Sequence, residues 1–265
     1  MPDAPSSIRE YSAQIREGIL SITNTVESYL SEIEKRNDEL NIVIRCFQDE
    51  AQRKAESLQE ELLQGHDRGP MHGVPIGVKD IFTMSGYLPS AGSGATISCG
   101  DQEATVIRKL EASGAIILGT LNLDEFAAGG TGVNAWYGRC KNPLDRRRIT
   151  GGSSSGSAAA VSAEFCLATI GSDAGGSIRI PAAFCGVHGL KPSYGRVSGF
   201  GAVPRTWSMD CIGPLASNTE DLGIVLEIIS GHDTLDPSSQ SNSDFTWARF
   251  DRGEPPRIGF LAGMI

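Results

Sequence analysis

Two glycine-serine turns and one lysine carry the residue types that could do chemistry in this sequence. The turns are Gly151-Gly-Ser-Ser-Ser-Gly-Ser157 and Gly171-Ser-Asp-Ala-Gly-Gly-Ser177. Each precedes a stretch able to be helical, Ala158–Ala163 in the first case and Ile178–Phe184 in the second. Pro181 falls in what would be a first turn, where its missing N–H costs little. Helix N-termini expose unpaired N–H groups, and a glycine turn lets the backbone come close. Such a loop can stabilise the oxyanion of an acyl-transfer transition state. Ala174, Gly175, Gly176 and Ser177 fit that role. Taken alone, each turn also reads as a linker or a phosphate-binding loop. Apolar runs flank both turns within a few residues, which disfavours a linker. No lysine follows the glycines as in a nucleotide P-loop, which leaves the phosphate reading as a minor alternative.

A serine is a poor nucleophile until a base removes its proton. The four histidines, His66, His72, His188 and His232, sit in no recognisable nucleophile-and-base arrangement such as a Gly-x-Ser-x-Gly elbow followed by Asp and His. They read as structural or solvated. Lys79 differs, because it ends the apolar run Val74-Pro-Ile-Gly-Val78. To be mostly neutral near pH 7 its pKa must fall by roughly 3 to 4, on the order of 4 to 5 kcal/mol, which burial can supply. The competing reading is a surface lysine whose stem lies along apolar surface with its charge in water.

The elements that would hold these residues follow from periodicity. Val26, Leu30, Ile33 and Leu40 fall near helical spacing, and 49–63 is charged with one apolar stripe, so residues 1–69 read as a helical N-terminal layer of the same domain. After Gly69-Pro70 the runs Val74–Val78 and Ala115–Leu118 flank a helical stretch, 104–113, which is the strand-helix-strand pattern of an α/β fold. Phe165–Ile170 and Gly186–Leu190 read as further buried strands. Ser217-Asn-Thr-Glu220 forms a capping box before the helix Leu222–Ile229. Arg257–Leu261 reads as the opening strand of another unit, four residues before the sequence stops, as in a chain truncated at its C-terminus.

With 23 Lys+Arg against 32 Asp+Glu, the net charge of −9 disfavours direct nucleic-acid binding or an anionic membrane surface. The six cysteines are scattered, with no pair separated by only two residues as zinc or redox motifs require, and read as reduced, mostly buried thiols. The N-terminus lacks a basic stretch followed by an apolar core, and no apolar run approaches eighteen residues. The expectation is a cytoplasmic protein.

Six motifs in order resemble the amidase signature family: His72–Asp80, Asn122-Leu-Asp-Glu-Phe126, Gly151–Ala158, Gly171–Arg179, Pro181–Gly186 and Gly189-Leu-Lys-Pro-Ser-Tyr-Gly195. The resemblance implies an α/β fold with a mixed β-sheet core covered by helices, and makes residues 70–265 the catalytic core with the C-terminal part of the domain missing. It implies that Ser177 is the acyl-forming nucleophile, that Ser153 relays the proton through a cis peptide, and that Lys79 is the base. The 24-residue spacing of the two serines matches the family. Asp173 and Arg179 are then structural, pairing to hold the turn. Ala127 and Gly129 resemble positions that line the acyl pocket. Ser155 departs from the glycine common in the family, and family members continue well past residue 265.

The reading implied is hydrolysis of a small-molecule carboxamide with no metal or organic cofactor. Two rivals stand beside it: the glutamine-hydrolysing, amidase-type component of a tRNA-dependent amidotransferase, and a truncated remnant without activity. A homo-oligomer or amidotransferase partner subunits accompany the first two readings. Trp207-Ser-Met-Asp210 and Gly130-Thr-Gly-Val-Asn134 resemble stand-alone amidases more than amidotransferase subunits, and a tryptophan wall suits an apolar acyl group.

Overall fold

Helix α1 (Ile8–Arg16) starts where the Ser7 hydroxyl accepts from the Glu10 N–H, and its Tyr11 hydroxyl donates to the Gly73 carbonyl at 2.9 Å. In this computed structural model, which describes residues 5–95, 97, 100–241 and 245–247, α1 is the first element, and its Ile8 N–H donates to the Asp221 carboxylate at 3.1 Å. Helix α2 (Ile22–Leu40) buries Ile22, Val26, Leu30 and Ile33, a stripe at helical spacing, and ends at Asn41 in left-handed backbone. Strand β1 (Val43–Cys46) and helix α3 (Gln48–Leu63) follow, α3 turning Ala51, Ala55 and Leu58 inward. The first 69 residues therefore also supply a strand, which pairs antiparallel with β3 below.

Strand β2 (Pro75–Lys79), helix α4 (Thr105–Ala112) and strand β3 (Ile116–Leu121) form the anticipated strand-helix-strand unit, with β2 and β3 parallel. Next come helix α5 (Ser155–Ser162), strand β4 (Ala168–Asp173), helix α6 (Arg179–Cys185), strands β5 (His188–Gly189) and β6 (Cys211–Ala216), and helix α7 (Thr219–Ile229). The sheet order is β1-β3-β2-β4-β6-β5. Its centre is parallel across β3, β2 and β4, and its flanks are antiparallel, which makes it mixed. Every residue of β2, β4 and β6 is buried, as expected of strands covered on both faces.

Three local expectations need correction. The strand read at Phe165–Ile170 begins three residues later, because the chain is still leaving α5, where the Phe165 N–H donates to the Ala160 carbonyl. Gly186–Leu190 holds only the two-residue β5, since Gly186 is the left-handed cap of α6. Helix α7 is capped by Asn218, whose side chain accepts from the Asp221 N–H at 2.8 Å, while Ser217 donates to the Ser6 carbonyl. The strand read at Arg257–Leu261 lies outside the described residues. Cys140, Cys166, Cys185 and Cys211 are free and buried, and Cys46 is free and exposed. Among the described residues no helix is long and apolar enough to cross a membrane.

Candidate active site

Lys79 closes β2 and Asp173 closes β4. These strands are parallel neighbours, so both side chains are delivered to one edge of the sheet. Behind them, α5 is built almost wholly from small residues, buried from Ser155 to Val161. That composition lets the helix lie very close to the sheet. A Cβ at Gly156 would collide with the backbone nitrogen of Asn122.

Lys79 is fully buried, and its Nζ lies 2.8 Å from Ser153 Oγ, 3.0 Å from Ser154 Oγ and 3.0 Å from Ser172 Oγ. Counting hydrogens shows what this cage permits. Ser154 donates its own proton to the Ser172 carbonyl at 3.1 Å, so it can only accept from the lysine. A neutral amine, with two N–H bonds and one lone pair, can donate to Ser154 and Ser172 and accept from Ser153. An ammonium can donate to all three. Both protonation states are therefore satisfied without moving a heavy atom. Burial pushes the Lys79 pKa down to about 7, against an opposing pull from Asp124, Asp210 and Asp173 and with a small push from Arg205. The buried, hydroxyl-bound position excludes the surface-lysine reading.

Ser153 is fully buried, and the Gly152–Ser153 peptide is cis. Ser177 sits just before α6, and its carbonyl accepts from the Ser154 N–H at 3.1 Å, which ties the second glycine loop to the first. The Ser177 hydroxyl makes no hydrogen bond among the described residues. Of the four candidate oxyanion donors, the N–H of Gly176 is taken by Asp173 Oδ1 at 2.6 Å. Those of Ala174, Gly175 and Ser177 bond no group among the described residues.

Asp173 grips this turn. It also accepts from the Ile178 N–H at 3.1 Å and takes both arms of the Arg179 guanidinium at 3.0 Å. Burial would raise its carboxyl pKa, but the guanidinium and these N–H groups hold it down at about 2. The Asp173–Arg179 pairing is as read from the motif. His72 is buried and structural, its Nδ1 accepting from the Arg68 N–H and its Nε2 bonding the Leu58 carbonyl, whereas His66, His188 and His232 are exposed.

A cavity of about 560 Å³ reaches the cluster through Ser172, with Ala127, Ile81, Phe200, Trp207 and Asp210 in its wall. Ala127, one of the two expected pocket residues, lines this cavity. Gly129 is not in that wall; it faces the Asp124 carboxylate so closely that a Cβ would collide with Oδ1. Sequence reasoning did not single out Ser154 and Ser172 as partners of Lys79, nor Asp124 and Asp210 as charges that act on it. All four lie inside segments quoted above, yet one serine among several carries no local signal of where its hydroxyl points.

A protein-family model described as Amidase matches residues 24–265. The A-subunit of the glutamyl-tRNA(Gln) amidotransferase of Anaeromyxobacter dehalogenans is 43% identical over 235 residues, covering 88% of this chain and 48% of that protein. Among solved structures, the native peptide amidase from Stenotrophomonas maltophilia superposes with a TM-score of 0.85 at 36% identity, covering 90% of this chain and 50% of that one. A bacterial aryl acylamidase of the amidase signature enzymes superposes with a TM-score of 0.82 at 31% identity, covering 91% and 51%. The chain spans about half the length of the relatives it matches.

Proposed function

This chain belongs to the amidase signature family, and on that premise we propose that its protein hydrolyses a carboxamide C–N bond through an acyl-enzyme on Ser177, with Ser153 and Lys79 as proton relay. The observation that carries the reading is the contact of a fully buried lysine with Ser153 at 2.8 Å. Neutral Lys79 takes the Ser153 proton on its lone pair, Ser153 takes the Ser177 proton, and Ser177 Oγ forms the bond to the carbonyl carbon. The N–H groups of Ala174, Gly175 and Ser177 face the developing oxyanion. The proton held on Lys79 returns through Ser153 to the departing nitrogen as the C–N bond breaks. Water then adds to the ester by the same route and releases the acid. The test is mass spectrometry of the protein after reaction with a fluorophosphonate, together with ammonia release from simple carboxamides. Modification at Ser177 that is lost in Ser177→Ala is expected. Labelling at another residue would overturn the assignment.

A second reading of the amide is favoured by the 43% identity to an amidotransferase component. In it glutamine is the amide, and the ammonia serves glutamyl-tRNA held with partner subunits. Trp207 in the cavity wall favours a free-standing hydrolase with an apolar acyl group instead. The two separate on one comparison, carboxamides against glutamine, with and without partner subunits and misacylated tRNA.

A further inference from the structure

Asp124, in the loop that follows β3, is a buried carboxylate with no ion pair among the described residues, only 4% exposed. Burying a carboxylate without a cation is costly, so its surroundings call for an explanation. Its oxygens accept from the N–H of Gly132 at 3.1 and 3.2 Å, and more loosely from the N–H and hydroxyl of Thr131 at 3.4 and 3.3 Å. Two glycines make room for it. A Cβ on Gly129 would collide with Oδ1, and one on Gly152 would collide with Oδ2. The Asp124 N–H meanwhile donates to the Ser153 carbonyl at 3.3 Å. Backbone and side chain of Asp124 thus both bear on the Gly152–Ser153 peptide.

We propose that Asp124 is a positioning residue of the proton relay, which holds the Gly152–Ser153 peptide through these contacts and stabilises the positive charge that Lys79 gains on taking the Ser153 proton. The inference rests on Lys79 being the base. Four charged groups act on Lys79 from the elements around it: Asp124 from the loop after β3, Asp173 from the end of β4, and Asp210 and Arg205 from the segment before β6. Arg205 opposes the other three. Asp173 is committed to Arg179, and Asp210 lies at the cavity wall, where its Oδ2 accepts from the N–H groups of Arg205 and Thr206. Asp124, with no ion pair among the described residues, is nearly as buried as the amine. During acylation the amine becomes an ammonium in a fully buried position, so a fixed neighbouring carboxylate lowers the energy of the charge-separated state.

The experiment is a pH titration of ¹³Cε-lysine signals in the protein, with the Lys79 signal assigned by its loss in Lys79→Met. Asp124→Asn keeps the shape and removes the charge; Asp124→Ala removes the charge and clears the glycine cradle. In either variant the Lys79 midpoint is expected to fall by about 1 or more, the scale for losing a nearby opposite charge. A merely structural residue would not move it. A folded Asp124→Asn protein with the wild-type midpoint overturns the proposal and leaves Lys79 as the base. A wild-type Lys79 that stays charged to about pH 10, the ordinary lysine range, overturns the base assignment, and this inference with it. Unfolding of both variants makes Asp124 a folding residue and overturns the proposal as well.

Discussion

The N–H of Ser154 donates to the carbonyl of Ser177 at 3.1 Å, so the residue after the bridging serine fixes the main chain of the candidate nucleophile. The two glycine-serine loops are one structure, and side-chain changes within it divide into those that remove chemistry and those that remove the mount.

On the proposed relay, Ser177→Ala, Ser153→Ala and Lys79→Ala remove chemistry. Ser177→Ala is expected to abolish fluorophosphonate labelling, and the other two to lower its rate by about a hundredfold or more while the fold persists. If the three act as one relay, Ser153→Ala combined with Lys79→Ala should be little worse than the poorer single variant. Labelling rates of the four proteins decide it, and additive losses would argue against a shared relay.

The pKa of Lys79, near 7, sets two pH dependences of known sign. On the proposed relay the amine works only when neutral, so labelling of Ser177 should rise with pH through about 7. Stability follows the same window for a different reason. Between about 7 and the ordinary lysine value of 10.5 the unfolded chain holds a proton that the folded chain lacks, so stability rises with pH. Across the whole window the gain from this one group is on the order of 5 kcal/mol. Lys79→Met should flatten that rise. Urea melts of both proteins at about pH 7 and about pH 9.5, inside that window, check this, and equal slopes would count against a depressed Lys79.

The Asp173 turn should respond unequally to the loss of its two partners. Asp173→Ala leaves the N–H groups of Gly176 and Ile178 without their acceptor, at about 1 to 3 kcal/mol each, and releases the turn that carries Ser177. Arg179→Met leaves those bonds in place, and its guanidinium is already half exposed. The expected order of stability is wild type, then Arg179→Met, then Asp173→Ala, measured by thermal melting. The reverse order would mean that the ion pair, and not the backbone grip, holds the loop.

Gly152→Ala places a methyl group where Asp124 Oδ2 now sits, and the neighbouring Gly132 nitrogen, 3.1 Å from that methyl position, leaves little room to yield. The variant should lose both labelling and several degrees of melting temperature. Retention of both would show that the carboxylate has somewhere else to go.

Much of the fold was legible in the chain, as were the segments that carry the candidate site. The run Val74–Lys79 announces a strand that ends in a lysine, and the order of glycine-serine motifs places the two loops before two helices. Strand β6 was not legible, because Gly213 and Pro214 in its middle are the residues that punctuate strands; it still pairs with β4 along its whole length. Helix α1 is short and polar on average, and becomes a helix through the Ser7 cap and the burial of Ile8, Tyr11 and Ile15. The acid side of the site was hidden for another reason. That Asp124 faces Gly152 is a contact between loops, and no spacing along the chain encodes it.

The bonds from Lys79 to Ser153, Ser154 and Ser172 close loops of 74, 75 and 93 residues. Closing loops of that length costs chain entropy. During synthesis, Lys79 emerges before its hydroxyl partners exist, and the last of them, Ser172, follows it by 93 residues. On the proposed relay, Ser177 would therefore have no base until that cage has closed, and a copy that fails to close it would carry no activated serine.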